Sequence, residues 1–192
     1  RSPEQSTPGR DGESSRLYVE LRLIADAGLI GLPNAGKSSL LNALTNAKAK
    51  VGSYQFTTLE PNLGALYGYV LADIPGLIEG ASEGKGLGDK FLKHIERTSL
   101  LLHCISLENG DIEETRSVIL RELEAFNTAL LEKQEIIILT KTDMVDEKTL
   151  KKQERIAKKW GKPVFTVSVL DDEAIKSLSD SLVKTLREAT GA

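Results

Sequence analysis

Eight residues, Gly31-Leu32-Pro33-Asn34-Ala35-Gly36-Lys37-Ser38, restrict the fold of this chain more than any other stretch. The apolar Gly28-Leu29-Ile30 leads into them, and the leucine-rich Ser38 to Leu44 follows. A buried strand, a glycine-bounded turn and a helix are therefore expected in direct succession. The octet fits G-x-x-x-x-G-K-[ST] in the strand-to-helix setting that the pattern requires. Gly31 and Gly36 let the backbone curl until successive N–H groups converge at the positive end of the helix, a cradle for phosphate oxygens. In such loops the lysine, here Lys37, supplies a point charge to the β- and γ-phosphates, and the hydroxyl of Ser38 ligates magnesium.

The remainder of the chain supplies the sheet around this loop. Apolar runs at 63–67 and 69–73 read as a hairpin. After them strand and helix alternate: strand 100–107, helix 111–133, strand 135–140, helix 145–160, strand 164–168, helix 171–189. Ile136, Ile137, Ile138 and Leu139 are apolar on both strand faces, the mark of a parallel sheet covered by helices on each side. Ile112, Ile119, Leu123, Phe126 and Leu130 form one helical stripe, and Ile175, Leu178, Leu182 and Leu186 another, both expected to pack on the sheet. Residues 1–16 hold Ser, Pro, Gly and charge, cannot offset the entropy of ordering, and read as a linker. The domain is expected to span 17–192, opening with a period-2 strand at Leu17, Val19, Leu21 and Leu23.

Composition narrows the class. With 25 basic and 28 acidic residues and a net charge of −3, the chain lacks the basic excess of a dedicated nucleic-acid binder. Its 40% hydrophobic content supports a real core. Cys104 is the single cysteine beside two histidines, which excludes an internal disulfide and a zinc site of ordinary spacing. No apolar run approaches the roughly 18 residues of a membrane span, and no leader pattern is visible. A soluble, monomeric, cytoplasmic protein without membrane insertion is expected, and a start at Arg1 rather than Met suggests an internal fragment.

Two further motifs lie at strand ends. Asp73-Ile74-Pro75-Gly76 closes the third apolar strand, where a carboxylate can face the metal and a glycine N–H can meet the γ-phosphate. Thr140-Lys141-Thr142-Asp143 closes the isoleucine strand, where ligands of such sheets bind. A carboxylate at Asp143 can accept from N1 and N2 of guanine and repels the ring acceptor of adenine. The stem of Lys141 would lie against the base, and Ser168-Val169-Leu170 could offer a backbone N–H to the guanine O6.

These motifs, in this order, resemble a GTPase of the translation-factor class, and the stretches between them are similar to the Obg family. Tyr54 to Gly64 resembles its first switch, Asp73 to Gly88 its second, and Phe91 to Thr98 the helix that follows. The resemblance implies a Ras-like P-loop NTPase fold of the α/β class, a three-layer sandwich with a mostly parallel six-stranded sheet. It further implies GTP and GDP as ligands, with guanosine tetraphosphate a further candidate, hydrolysis with Mg2+, and a role in assembly of the large ribosomal subunit or on its RNA. Thr58 would join Ser38 and Asp73 as a metal ligand and sense the γ-phosphate. Phe56, Thr57, Leu59 and Glu60 would complete the switch, and Lys37, Thr58 and Gly76 would carry the chemistry. Asn34 resembles the residue of potassium-activated relatives and makes K+ a candidate second ion. The alternative is a local loop cap.

The sequence departs from that family in places. Leu77 follows Gly76 where many small GTPases carry a water-orienting glutamine, so slow intrinsic hydrolysis is expected. Thr140 stands where asparagine is expected, and a hydroxyl makes fewer bonds than an amide, so guanine affinity is expected to be reduced. Val169 replaces the usual alanine with little expected effect. Two alternatives stand beside the GTPase: a YchF-like ATP-preferring relative, against which Asp143 speaks, and a binding module that barely hydrolyses. His94 and His103 read as structural. The basic run Lys148, Lys151, Lys152, Arg155, Lys158 and Lys159 reads first as a solvated face diluted by Glu147 and Glu154, and second as an RNA contact.

Overall fold

The computed structural model describes residues 12, 14–16, 25–45, 50–51, 62–73 and 98–190. The strand expected at 17–23, most of the linker expected at 1–16, and residues 54–61 and 74–88 of the two switch stretches lie outside the described residues.

The strands are β1 (Ala27–Ile30), β2 (Lys50–Val51), β3 (Asn62–Leu66), β4 (Tyr69–Asp73), β5 (Leu100–Ser106), β6 (Gln134–Thr140) and β7 (Val164–Val167). The helices are α1 (Lys37–Thr45), α2 (Ile112–Phe126), α3 (Glu147–Lys158) and α4 (Asp172–Thr190). One sheet runs β2-β3-β4-β1-β5-β6-β7. Among the described residues only the pairs β2–β3 and β3–β4 are antiparallel, and the others are parallel. The mostly parallel sheet and its helices are as expected, and the two-residue β2 extends one edge beyond the six strands.

Alternation along β5 explains its burial on both faces. Leu100, Leu102 and Cys104 join the core beneath α1 and α4, with Leu41, Leu44, Leu178, Leu182 and Leu186. Leu101 and Ile105 point the other way, into cores with Ile119 and Leu123 of α2 and with Ala157 of α3. Each helical stripe thus packs on the sheet as its 3.6-residue period requires.

Helix starts follow from side-chain caps. Asp111 accepts from the N–H groups of Glu113 and Glu114 at 2.9 and 3.0 Å. Asp146 accepts from Thr149 at 2.6 Å, which also draws the Asp146 carboxyl below its ordinary pKa. Asp171 accepts from Glu173 and Ala174 at 3.1 and 3.0 Å.

The helix expected over 111–133 is divided. Asn127 leaves the helical region at φ −159 and its side chain accepts from Ala129 N, starting a 3-10 turn over Thr128–Glu132. An Asx residue offers the backbone this local alternative, and the leucine stripe conceals it because Leu130 is buried on the same side. No helix of the described residues is long and apolar enough to cross a membrane.

Candidate functional site

The parallel strands end together. In register Leu29 of β1 faces Asp73 of β4, Ile30 faces His103 of β5, Ser106 of β5 faces Thr140 of β6, and Thr140 faces Val167 of β7. The chain leaves the central β1 toward β4 on one side and β5 on the other. The carboxyl edge beside β1 is therefore the switch-point crevice in which ligands of open α/β sheets bind.

The loop between β1 and α1 has the curl that its glycines forecast. Gly31 adopts φ 147 and Gly36 φ 83. A Cβ on Gly31 would sit 2.3 Å from the Cys104 carbonyl oxygen, so the loop lies closer to β5 than any side chain permits. Asn34 is exposed at φ 61, a left-handed conformation that Asn tolerates.

Lys37 is 7% exposed. Its ammonium donates to the carbonyls of Gly31 and Leu32, both at 3.0 Å. Burial draws its pKa below the usual lysine value, while the Asp73 carboxylate pulls the other way. The thiol of neighbouring Cys104, fully buried, is pushed up to about 12 and stays protonated at neutral pH.

Asp73 is 2% exposed at the end of β4. Ser38 donates its hydroxyl to Oδ2 in a short hydrogen bond, and Asn62 approaches the same oxygen at 3.5 Å. Oδ1 is buried without a hydrogen-bond partner among the described residues. A buried carboxylate oxygen with spare lone pairs beside a hydroxyl is a hard-oxygen donor set, and it fits Mg2+.

On the far side of the loop Thr140 is buried, and its hydroxyl lies 2.8 Å from the Ala35 carbonyl and 3.3 Å from that of Ile105. Lys141 takes a left-handed φ of 59 and its ammonium meets the Glu108 carboxylate. Thr142–Met144 make a 3-10 turn that leaves Asp143 exposed. Ser168 is buried and its hydroxyl accepts from Leu170 N at 3.1 Å, which commits that N–H locally. Of the expected Ser168 to Leu170 donors, the Val169 N–H then becomes the candidate for a ligand.

A cleft of about 470 Å³ opens beside the loop, lined by Leu32, Pro33, Asn109, Asp111 and Glu114 among others. Glu108 and Asn62 were not singled out in the sequence. Glu108 follows the carboxyl end of β5, and strand order is what brings it to Lys141. Phe56, Thr57, Thr58, Leu59, Glu60, Ile74, Pro75, Gly76 and Leu77 lie outside the described residues. The structure brings Lys37, Ser38, Asp73 and Thr140 to one edge.

Solved structures share this architecture. The cytosolic domain of the T. maritima FeoB iron transporter in a GDP form superposes with a TM-score of 0.61 at 25% identity, covering 86% of this chain and 64% of that one. Elongation factor SelB from Methanococcus maripaludis, in complex with the GTP analogue GPPNHP, gives 0.59 at 18% identity, covering 88% and 35%. Fold and loop together define a P-loop nucleotide-binding α/β domain. Within that class, residues 26–142 match the model described as 50S ribosome-binding GTPase, and the chain belongs to that family. GTPase Obg of Sphingopyxis alaskensis (strain DSM 13593 / LMG 18877 / RB2256) is 44% identical over 191 residues, 97% of this chain and 55% of the relative. The Obg resemblance carried by the switch stretches is borne out. The chain spans about half the length of that curated relative.

Proposed function

We propose that this chain is the nucleotide-binding domain of an Obg-type GTPase, a guanine-nucleotide switch that binds GTP and GDP with magnesium and hydrolyses GTP slowly. One observation carries the reading: a buried lysine resting on the carbonyls of its own glycine-bounded loop, opposite a buried carboxylate with a spare oxygen. Two carbonyls are modest partners for an ammonium, and a polyphosphate that displaces them offers full charge. The loop N–H groups at the start of α1 would receive the β-phosphate.

Ser38 and Asp73 would hold magnesium, with Thr58 joining from the first switch. When bound, the ion supplies charge neutralisation at the β- and γ-phosphate oxygens. Asp143 would accept from guanine N1 and N2, the Lys141 stem, tethered by Glu108, would flank the base, and the Val169 N–H would face O6. Gly76 would meet the γ-phosphate, so that loss of that phosphate releases both switches. By family, the output is assembly of the large ribosomal subunit, through its RNA or proteins.

Leu77 offers no group to orient the attacking water. Single-turnover hydrolysis in magnesium buffer is expected at about 10⁻⁴ per second, the scale of an unassisted small GTPase. If Asn34 helps to hold a monovalent cation, the rate in potassium exceeds that in sodium; equal rates remove K+ from the account. Several turnovers per second without a partner would contradict the slow-switch reading.

A further inference from the structure

Guanine presents N7 and O6 as acceptors on one edge and N1–H and N2–H as donors on another. A complete reading of the first edge needs a donor at N7, and the family resemblance puts asparagine, whose amide can bridge the base and the phosphate loop, at the end of β6. Thr140 occupies that place, but the residue is only 5% exposed and its hydroxyl is turned to buried backbone. Both atoms it meets are carbonyl oxygens, Ala35 O at 2.8 Å and Ile105 O at 3.3 Å. A hydroxyl carries a single proton. Here that proton goes to one carbonyl or the other, and the hydroxyl keeps no donor for N7. The adjacent Lys141 ammonium is drawn to the Glu108 carboxylate.

We infer that Thr140 is a positioning residue that ties β6 to the phosphate loop at Ala35, and that this chain leaves guanine N7 unread. The bond spans β6 to the loop just before Gly36, whose vacant side-chain position lies 3.7 Å from the Thr140 Cβ. It thus holds the curl that collects the loop N–H groups. Base selection falls to Asp143 on the opposite edge of the purine. The inference rests on the reading of Asp143 as the guanine-contacting acid.

Calorimetric titration with GDP and 7-deaza-GDP, which differ only at N7, separates the two. In the parent protein with magnesium the two dissociation constants should agree within about twofold, less than one hydrogen bond is worth. Thr140→Asn, with an amide donor to spare, should come to prefer GDP over 7-deaza-GDP by about two- to tenfold. Thr140→Val, close in shape but without the hydroxyl, should weaken both ligands alike by about two- to tenfold and leave their ratio near one. A parent that prefers GDP tenfold overturns the inference. So does a Thr140→Asn protein that binds GDP yet keeps a ratio of one, or a Thr140→Val protein that binds both as the parent does. A parent that binds both equally well and binds ADP equally too keeps N7 unread but sinks the role given to Asp143. A parent that binds none of the three sinks the nucleotide reading and this inference with it.

Discussion

At the scale of single residues, a buried chain of polar groups lies apart from the loop. His103 is fully buried and its Nδ1 lies 2.9 Å from Glu135 Oε1. Arg116 of α2 donates to Glu135 Oε2 at 2.8 Å and stacks 4.7 Å above the Trp160 ring. Burial raises the Glu135 carboxyl, but the hydrogen bonds from His103 and Arg116 outweigh it and bring it down to about 2 from 4.5. Burial lowers the His103 imidazole, with the Glu135 hydrogen bond pulling upward. The neutral ring that donates from Nδ1 carries no hydrogen on Nε2, which is buried without a partner among the described residues. Both folded-state values lie below the unfolded ones, so the unfolded chain takes up protons first on acidification. The Glu135 contribution is complete above about pH 4.5 and lost toward pH 2, and the His103 contribution begins to fade below about pH 6.5. Glu135→Ala should cost about 3 kcal/mol near neutral pH by stranding Arg116. It should also flatten the fall in urea midpoint below pH 4.5, and an unchanged acid limb would refute the assignment. His103 was legible as structural, but its partners were not: Arg116, Glu135 and Trp160 come from three other segments, and no local period announces them.

Elements were legible where one physical signal dominates. The loop between β1 and α1 is contiguous in sequence, so glycine placement alone forecast its shape. The strands β5 and β6 are apolar on both faces, and α4 shows its stripe without competition. Boundaries failed where a polar side chain competes with helix continuation, as at Asn127, and where a strand is as short as β2. Of the candidate site, Lys37, Ser38, Asp73 and Thr140 were named from motifs. The use of the Thr140 hydroxyl on Ala35 and Ile105 was not foreseen, because the bond to Ala35 joins residues 105 apart in sequence. The stripe of α4 is the firmest of the element-scale readings. Leu182 is wholly buried between α4 and the sheet, so Leu182→Ala should destabilise by about 3 kcal/mol in chemical denaturation. A loss under about 1 kcal/mol would mean that the stripe does not carry the packing assigned to it.

Over the whole molecule, charge is sorted more than the net −3 suggests. On α3, Glu147 pairs with Lys151 and Glu154 with Lys158. This leaves Lys148, Lys152, Arg155 and Lys159 exposed along one stripe at four-, three- and four-residue steps, without an ion pair among the described residues. The sequence showed the six cations and the two diluting acids. Which cations the acids would take depended on the helix register. An RNA contact through this face predicts that Lys152→Glu with Arg155→Glu weakens sedimentation with large ribosomal subunits by about tenfold and makes it less salt-sensitive. Unchanged association would leave the stripe a solvated face.

The central claim, that a phosphate cradle and a distant carboxylate together select guanine nucleotides, is tested most directly by titrating the parent and Asp143→Asn with GDP and ADP in magnesium buffer. The parent should bind GDP at least about 100-fold more tightly than ADP, and Asp143→Asn should lose most of that margin, since two hydrogen bonds to a charged group are worth about 1.5–3 kcal/mol each. Equal binding of the two nucleotides by the parent, or a margin untouched by Asp143→Asn, would contradict the account.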